Sequence, residues 1–462
     1  LSGRAWLALG LLLAVFLARS WLYASILPLN GMPDEVEHLA QVRLAQYWPE
    51  IKAGRTDPGR VAGELVARFR EAAAGFPETV SRGMVLAGIT PTPDRLSLYN
   101  RLLGGGLRLL DVADPLRAWY LCRWASILFG LATLALAWWT AIILFPDRPL
   151  VAFLAAGLIG LLPQFGALAA TVNPDNLASL AAAAFFCYLA WLLKARPGWP
   201  AWSLLLLFAL LLLGLKKTTH FLLPLLLLGG LWSLKVRLAG RKGAWAVWLL
   251  VVLAAAAVVG LILFWPPAAN RVVRLIGIPF YRTWQPGFDP VLFRQPGILN
   301  ILAQEIRLAD PGFWLHLKTL IGLFFKSFWG YFGYLDVPLD WWWYAGLALL
   351  AALGAAGWLR VRGQVLAGWR GRCLVLFLLG LILSLTFIFL RQVLFFPGSL
   401  AQGRHAFPVL IPLALFWALG LEALWPARLR PWAAGLGLAF LWLTDLNAMW
   451  TVALPWFYRL HL

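Results

Sequence analysis

Residues 6–27 read WLALGLLLAVFLARSWLYASIL and are followed almost at once by Pro33-Asp34-Glu35-Val36-Glu37-His38. The first stretch is apolar and long enough to cross a bilayer once as a helix, which takes about 20 residues. Runs of the same kind recur to the far end of the chain, several of them written as unbroken leucine. A transmembrane barrel would alternate apolar with polar residues instead. The 462 residues are 62% hydrophobic and 13% charged, with 28 tryptophans; a soluble globule would carry roughly a quarter of its residues as charges. The expected fold class is therefore an all-α polytopic membrane protein. Residues 6–27 read as its first span rather than as a signal peptide, because acidic residues and not a small-residue cleavage pattern follow.

The net charge of +19 does not indicate nucleic acid, because the basic residues fall in short clusters between apolar runs. Lys194 and Arg196, then Lys235, Arg237, Arg241 and Lys242, then Arg360, Arg362, Arg370 and Arg372, and finally Arg428 and Arg430 mark cytoplasmic connections by the positive-inside bias. With the start inside, spans are expected near 5–27, 117–145, 149–171, 177–193, 200–216, 218–234, 243–264, 341–359, 373–391, 406–424 and 431–451, about eleven transmembrane helices. Two extended connections, 28–116 and 265–340, then fall on the outer face and carry interfacial helices. Leu96 to Leu110 reads as one such helix, and Phe313 to Tyr334, with its His316, Lys318 and Lys326, as an amphipathic or re-entrant one. The chain divides into a transmembrane core at 1–264, an outer loop at 265–340 and a C-terminal set of helices at 341–462. Cys122, Cys187 and Cys373 lie far apart in or beside apolar runs and read as small buried hydrophobes.

Four polar motifs interrupt this apolar text on the outer side. In the first, Pro33 suits the first turn of a helix, Asp34 and Glu35 suit its positive end, and Asp34, Glu37 and His38 share one face. It reads either as a capped interfacial helix with solvated charges or as a carboxylate placed to act as a general base. In the second, Asn173-Pro174-Asp175-Asn176 forms a good turn, and Asp175 comes to the same side of the membrane as Asp34. In the third, Lys216-Lys217-Thr218-Thr219-His220 puts two amines at an outer hairpin, against the usual bias; snorkelling is one explanation and an anionic substrate the other. In the fourth, Gln402-Gly403-Arg404-His405 enters a span from outside, where arginine can pair with phosphate. Arg271 in the second outer loop is a weaker candidate of the same kind. Asp445 sits inside the last span without a partner visible in the sequence, and an intramembrane carboxylate is costly unless paired. Tyr331 to Tyr334 and Trp341 to Tyr344 read as an interfacial aromatic belt.

Acidic residues at one end of an outward cavity and basic residues at the other suit a reaction in which a lipid-linked phosphate departs while a base activates an acceptor. With the motifs at 33–38, 173–175, 217–218 and 402–405 in this order, nearly the whole chain resembles the polytopic glycosyltransferases of the C-type superfamily. Within it the chain is similar to the bacterial DUF2142 group, related to the protein mannosyltransferase and aminoarabinose transferase branch. The resemblance implies a multi-span protein of the bacterial cytoplasmic membrane with its site facing outward, which moves a sugar with inversion from a polyprenyl-phosphate donor to a glycan, lipid or protein acceptor. It implies Asp34 as general base with Asp175 as the second acidic position, and Lys217 and Arg404 on the donor phosphate. Glu35 joins the catalytic candidates, and Glu37, His38, His405 and Arg271 the binding ones. His405 stands where a tyrosine is commoner in this group. No cofactor is required, although Asp34, Glu37 and His38 leave room for a divalent cation. A lipid-linked glycan polymerase or ligase and a multi-span transporter of a lipid-linked or anionic substrate stay open as alternatives, separated by donor chemistry and by whether a bond is broken.

Overall fold

The computed structural model describes residues 3–29, 31–73, 96–195, 311–395 and 402–458 and most of 204–238. In chain order these form α1 (Gly3–Ile26), α2 (Glu35–Gln46), α3 (Trp48–Lys52), α4 (Pro58–Ala73), α5 (Leu98–Leu109), α6 (Pro115–Leu144), α7 (Pro149–Leu161), α8 (Pro163–Ala169), α9 (Asp175–Ala195) and α10 (Leu222–Leu238). After them come α11 (Pro311–Trp329), the two-residue strands β1 (Tyr331–Phe332) and β2 (Val337–Pro338), α12 (Trp341–Val365), α13 (Gly368–Phe395), α14 (Leu410–Leu424), α15 (Arg430–Asn447) and α16 (Leu454–Tyr458).

The fold is all-α apart from the β1–β2 hairpin, in which Tyr331 pairs with Pro338 and Phe332 with Val337. Seven of the described helices are long and apolar enough to cross a membrane, and the bent pair α7–α8 makes an eighth if it is one span. This is a polytopic, membrane-type bundle, with seven to eight such spans among the described residues where eleven were expected. The expected span at 243–264 lies outside the described residues, and 200–216 is described only in part. The expected single span at 149–171 is instead two helices meeting at 63°. Pro163 is the cause: its ring lacks a donor for the preceding turn and pushes Leu162 into an extended conformation, φ −69 and ψ 112.

Local sequence sets the other ends. Asp114 caps α6 by accepting from the Arg117 amide at 2.9 Å, with Pro115 in the first turn. Helices α12 and α14 cross closely because Gly357 and Gly420 face one another; a Cβ on Gly357 would run into the Gly420 carbonyl. One continuous apolar core reaches from Leu9 in α1 to Met449 after α15 and takes in Trp138, Phe165, Phe186, Phe377 and Trp417. The three cysteines are free, Cys122 and Cys373 buried.

The bundle has two chemically different ends. At one, Arg148 pairs with Glu422 at 2.5 Å, Arg430 lies 3.9 Å from the same carboxylate, and Arg370 lies 3.9 Å from Asp147. Arg360, Arg362, Arg428 and Lys194 follow at that end by the direction of their helices. Over the other end lie α2 to α5, held by a second core of Val36, Leu39, Leu65, Phe69, Tyr99, Trp119 and Val172. Helix α11 also belongs to that end: Phe324 packs on Phe389 of α13, Lys326 on the Tyr344 ring, and Ser327 accepts from the Gly403 amide. Helices stand at both places where interfacial ones were expected, α5 within 96–110 and α11 over most of 313–334, although α11 ends at Trp329 and Tyr331–Phe332 is a strand. Trp341 and Trp342 are exposed as a belt would be, whereas Phe332 is buried.

Candidate functional site

Four segments separated by up to 370 residues meet at the covered end of the bundle. Asp34 caps α2 with a left-handed backbone, φ 68 and ψ 6, a conformation aspartate tolerates better than most residues. Its carbonyl accepts from the His38 amide at 3.0 Å, so the helix begins there, while its carboxylate makes no capping hydrogen bond to the helix. Arg404 meets it: Nη2 donates to Asp34 Oδ2 at 2.9 Å and Nη1 to the Pro33 carbonyl at 3.3 Å. Arg404 is brought there by the 3-10 segment Gly403–Val409. Gly403 must be glycine, because a Cβ would overlap the Phe328 backbone, and its amide donates to Ser327 Oγ at 2.7 Å.

Asp175 opens α9. Asn173 Oδ1 accepts from the Asp175 amide at 2.9 Å, the Asx turn that Asn-Pro-Asp predicts, and Asn176 Nδ2 donates to the carbonyls of Leu168 and Thr171 at the end of α8. The Asp175 side chain is 1% exposed and accepts from Lys216 Nζ at 2.6 Å. Its second oxygen stands 3.9 Å from Arg404 Nε. Lys216 precedes a 3-10 turn, Lys217–Thr219, in which Thr219 closes back on the Lys216 carbonyl through both its amide and its hydroxyl.

Two acids and two bases therefore form one chain, Asp34, Arg404, Asp175, Lys216, and His38 stands beside it one turn along α2. Burial, and then the Lys216 ammonium, push the His38 imidazole down to about 4, with Arg404 acting the same way and Asp34 and Asp175 opposing. His38 is neutral at ordinary pH. Burial and then neighbouring Asp34 raise the Glu37 carboxyl. His405 lies within electrostatic reach of Asp175. Buried His38 Nδ1, Asp175 Oδ2, Arg404 Nε and Thr218 Oγ1 have no protein hydrogen-bond partner; Asp175 Oδ2 and Arg404 Nε face one another beyond hydrogen-bond distance, so the cluster keeps unused polar capacity. Among the described residues no group of three or more His, Cys, Asp or Glu side chains is assembled to hold a metal ion.

Three of the expected site residues converge as read: Asp34, Asp175 and Arg404, with His38 and His405 beside them. The amine that reaches Asp175 belongs to Lys216, and the side chain of Lys217, expected on the donor phosphate, lies outside the described ones. One expectation needs correction. Glu35 is a scaffold residue: fully buried, it receives Arg123 through Nε and Nη2, both at 2.8 Å, and also Trp119 Nε1 and the Val172 amide, each at 3.0 Å. The fully buried Arg123 donates its remaining hydrogens to the carbonyls of Ala24, Leu27 and Pro28, which closes the C-terminal end of α1, and its guanidinium lies over the Trp119 ring. Glu35 and Arg123 thus tie α1, α2, α6 and the approach to Asp175 into one piece. Arg271 lies outside the described residues.

Asp445 has its partner in α1. Arg19 Nε donates to Oδ2 at 2.7 Å, Arg19 Nη2 to Oδ1, and Tyr23 Oη to Oδ1 at 3.0 Å. Arg19 also donates to the carbonyls of Gly160 and Leu162, at the Pro163 bend. Sequence reasoning passed over Arg19 and Arg123; the available signal was an arginine well inside an apolar span, which is costly without a partner.

No family model, curated protein or solved structure matches this chain.

Proposed function

We propose that the protein is a membrane glycosyltransferase that moves a sugar from a polyprenyl-phosphate donor to an acceptor at the outer face of a bacterial cytoplasmic membrane, as expected of the C-type superfamily. The observation that carries this reading is the linked chain Asp34, Arg404, Asp175, Lys216. It places a carboxylate that is 43% exposed beside two cations at one end of an apolar bundle. A lipid-linked substrate requires such a site: its tail stays in the bilayer while its anionic head meets cations at the rim. The cluster of arginines at the opposite end supports an outward orientation through the positive-inside bias.

In this reading Asp34, held in orientation by Arg404, takes the proton from an acceptor hydroxyl or amine. The acceptor atom bonds to the anomeric carbon from the side opposite the phosphate, and the carbon–oxygen bond to the phosphate breaks. Polyprenyl phosphate leaves with the electron pair, and the configuration inverts. Lys216 and Arg404 offset the charge growing on the leaving phosphate, which is where fixed cations do most for rate. Asp175, 1% exposed, positions both cations.

The test is release of free polyprenyl phosphate from radiolabelled polyprenyl-phosphate sugars by purified protein with a membrane extract as acceptor source, comparing the native chain with Asp34→Asn. Turnover lost in the variant with donor binding retained supports the proposal. Binding without cleavage across a donor panel overturns it in favour of transport, and release of polyprenyl diphosphate overturns it in favour of a polymerase or ligase.

A further inference from the structure

A groove of about 420 Å³ opens between α12, α14 and α15. Its walls are Gly346, Leu350 and Leu353 on α12, Trp425 after α14, and Gly437 and Phe440 on α15. The volume is within the range of small-molecule sites, and the lining is apolar throughout. From Phe440 to Leu429 the groove follows α15 for roughly 16 Å at 1.5 Å per residue, about the depth of one bilayer leaflet. There is room beside Gly437, where a Cβ would make only ordinary contacts with Leu350 and Leu421 at 3.7 and 3.9 Å.

The end of the groove at Trp425 carries positive charge. Arg430 Nε donates to the Trp425 carbonyl at 3.2 Å, which fixes its guanidinium at the rim, and Arg428 beside it is exposed. Glu422, the carboxylate that Arg430 approaches at 3.9 Å, is already bound by Arg148 at 2.5 Å. The rim therefore has more cationic charge than its carboxylate neutralises.

We propose that this groove is a specific site for one anionic glycerophospholipid, with an acyl chain between α12 and α15 and its phosphate at Arg428 and Arg430. Charge complementarity at the rim and a length of one leaflet select this occupant. The site lies at the opposite end of the bundle from Asp34 and does not depend on the proposed reaction.

The experiment is native mass spectrometry of the full chain after detergent delipidation, titrated with dioleoyl phosphatidylglycerol or dioleoyl phosphatidylcholine. One phosphatidylglycerol should be retained at least five-fold more than phosphatidylcholine. In Arg428→Gln with Arg430→Gln the preference should fall below two-fold, and in Gly437→Leu, which fills the groove, retention of either lipid should fall at least five-fold. Equal retention of both lipids by the native chain overturns the proposal, as does a preference unchanged in the arginine variant, which would place the bound lipid elsewhere. A mass of two chains without lipid overturns it too, since the groove would then be a contact between copies.

Discussion

Arg404 and Asp34 lie 370 residues apart and share a 2.9 Å hydrogen bond from Nη2 to Oδ2. The arginine side chain is 5% exposed and the aspartate 43%, so a sealed cation fixes the direction of an open carboxylate. If Asp34 is the base, Asp34→Asn keeps the fold and the bound donor and loses activity by about 10²–10⁴-fold, the usual contribution of a positioned base. Phosphate release measured beside donor binding and the melting temperature checks this. A loss of donor binding equal to the loss of rate would remove Asp34 from the catalytic step.

Arg404 also reaches the Pro33 carbonyl, and its Nε lies toward Asp175. A single ammonium cannot match that fork, so Arg404→Lys is not a conservative change here. Its expected effect is a fall in turnover of about ten-fold or more, the rate equivalent of about 1.4 kcal/mol, with the protein still folded. Near-native turnover would show that the planar fork has no part in the reaction.

Lys216 is the amine that reaches Asp175. Lys216→Gln removes one charge from the proposed phosphate site, and the expected outcome is weaker donor binding, by about ten-fold, with partial recovery in Lys216→Arg. Equilibrium binding of a non-hydrolysable donor analogue gives the answer. Equal affinity in the native chain and Lys216→Gln would assign Lys216 only to holding Asp175.

What the sequence revealed, and what it hid, follows from the cost of polar groups in an apolar chain. Asp34, Asp175 and Arg404 stood out because each interrupts the edge of an apolar run, and alternation of the spans put them on one side. The pairing of Lys216 with Asp175 depends on a bend at Leu215 followed by a 3-10 turn, which no periodicity encodes. Glu35 looked like a neighbour in the same motif, yet the left-handed backbone at Asp34 sends the two carboxylates different ways. Long-range pairs were not legible, because nothing in the text of α6 says that Arg123 will find Glu35. The bend at Pro163 was written in the sequence but was absorbed into a continuous apolar stretch.

His38 supplies a pH test with a definite sign. Its imidazole is lowered from 6.5 to about 4, so the unfolded chain takes up a proton there before the folded one does. Its contribution to stability is fully present above 6.5 and is lost as pH falls from 6.5 toward 4. The melting temperature of the native protein should therefore drop more steeply over that window than that of His38→Gln. Nitrogen NMR of labelled histidine should show neutral His38 at pH 6, and a protonated ring at that pH would contradict the site as drawn.

Glu35 and Arg123 are 0% and 1% exposed, and removing either leaves a buried charge without its partner. Glu35→Ala should destabilise the protein by about 3–5 kcal/mol, seen as a large fall in melting temperature and in yield. Asp34→Asn, one residue away, should do neither. Glu35→Ala protein that folds normally but has lost turnover would make Glu35 a catalytic residue after all. The separation of the two phenotypes follows from geometry: Glu35 joins α1, α2 and α6 and receives the Val172 amide just ahead of Asn173, whereas Asp34 meets the outside.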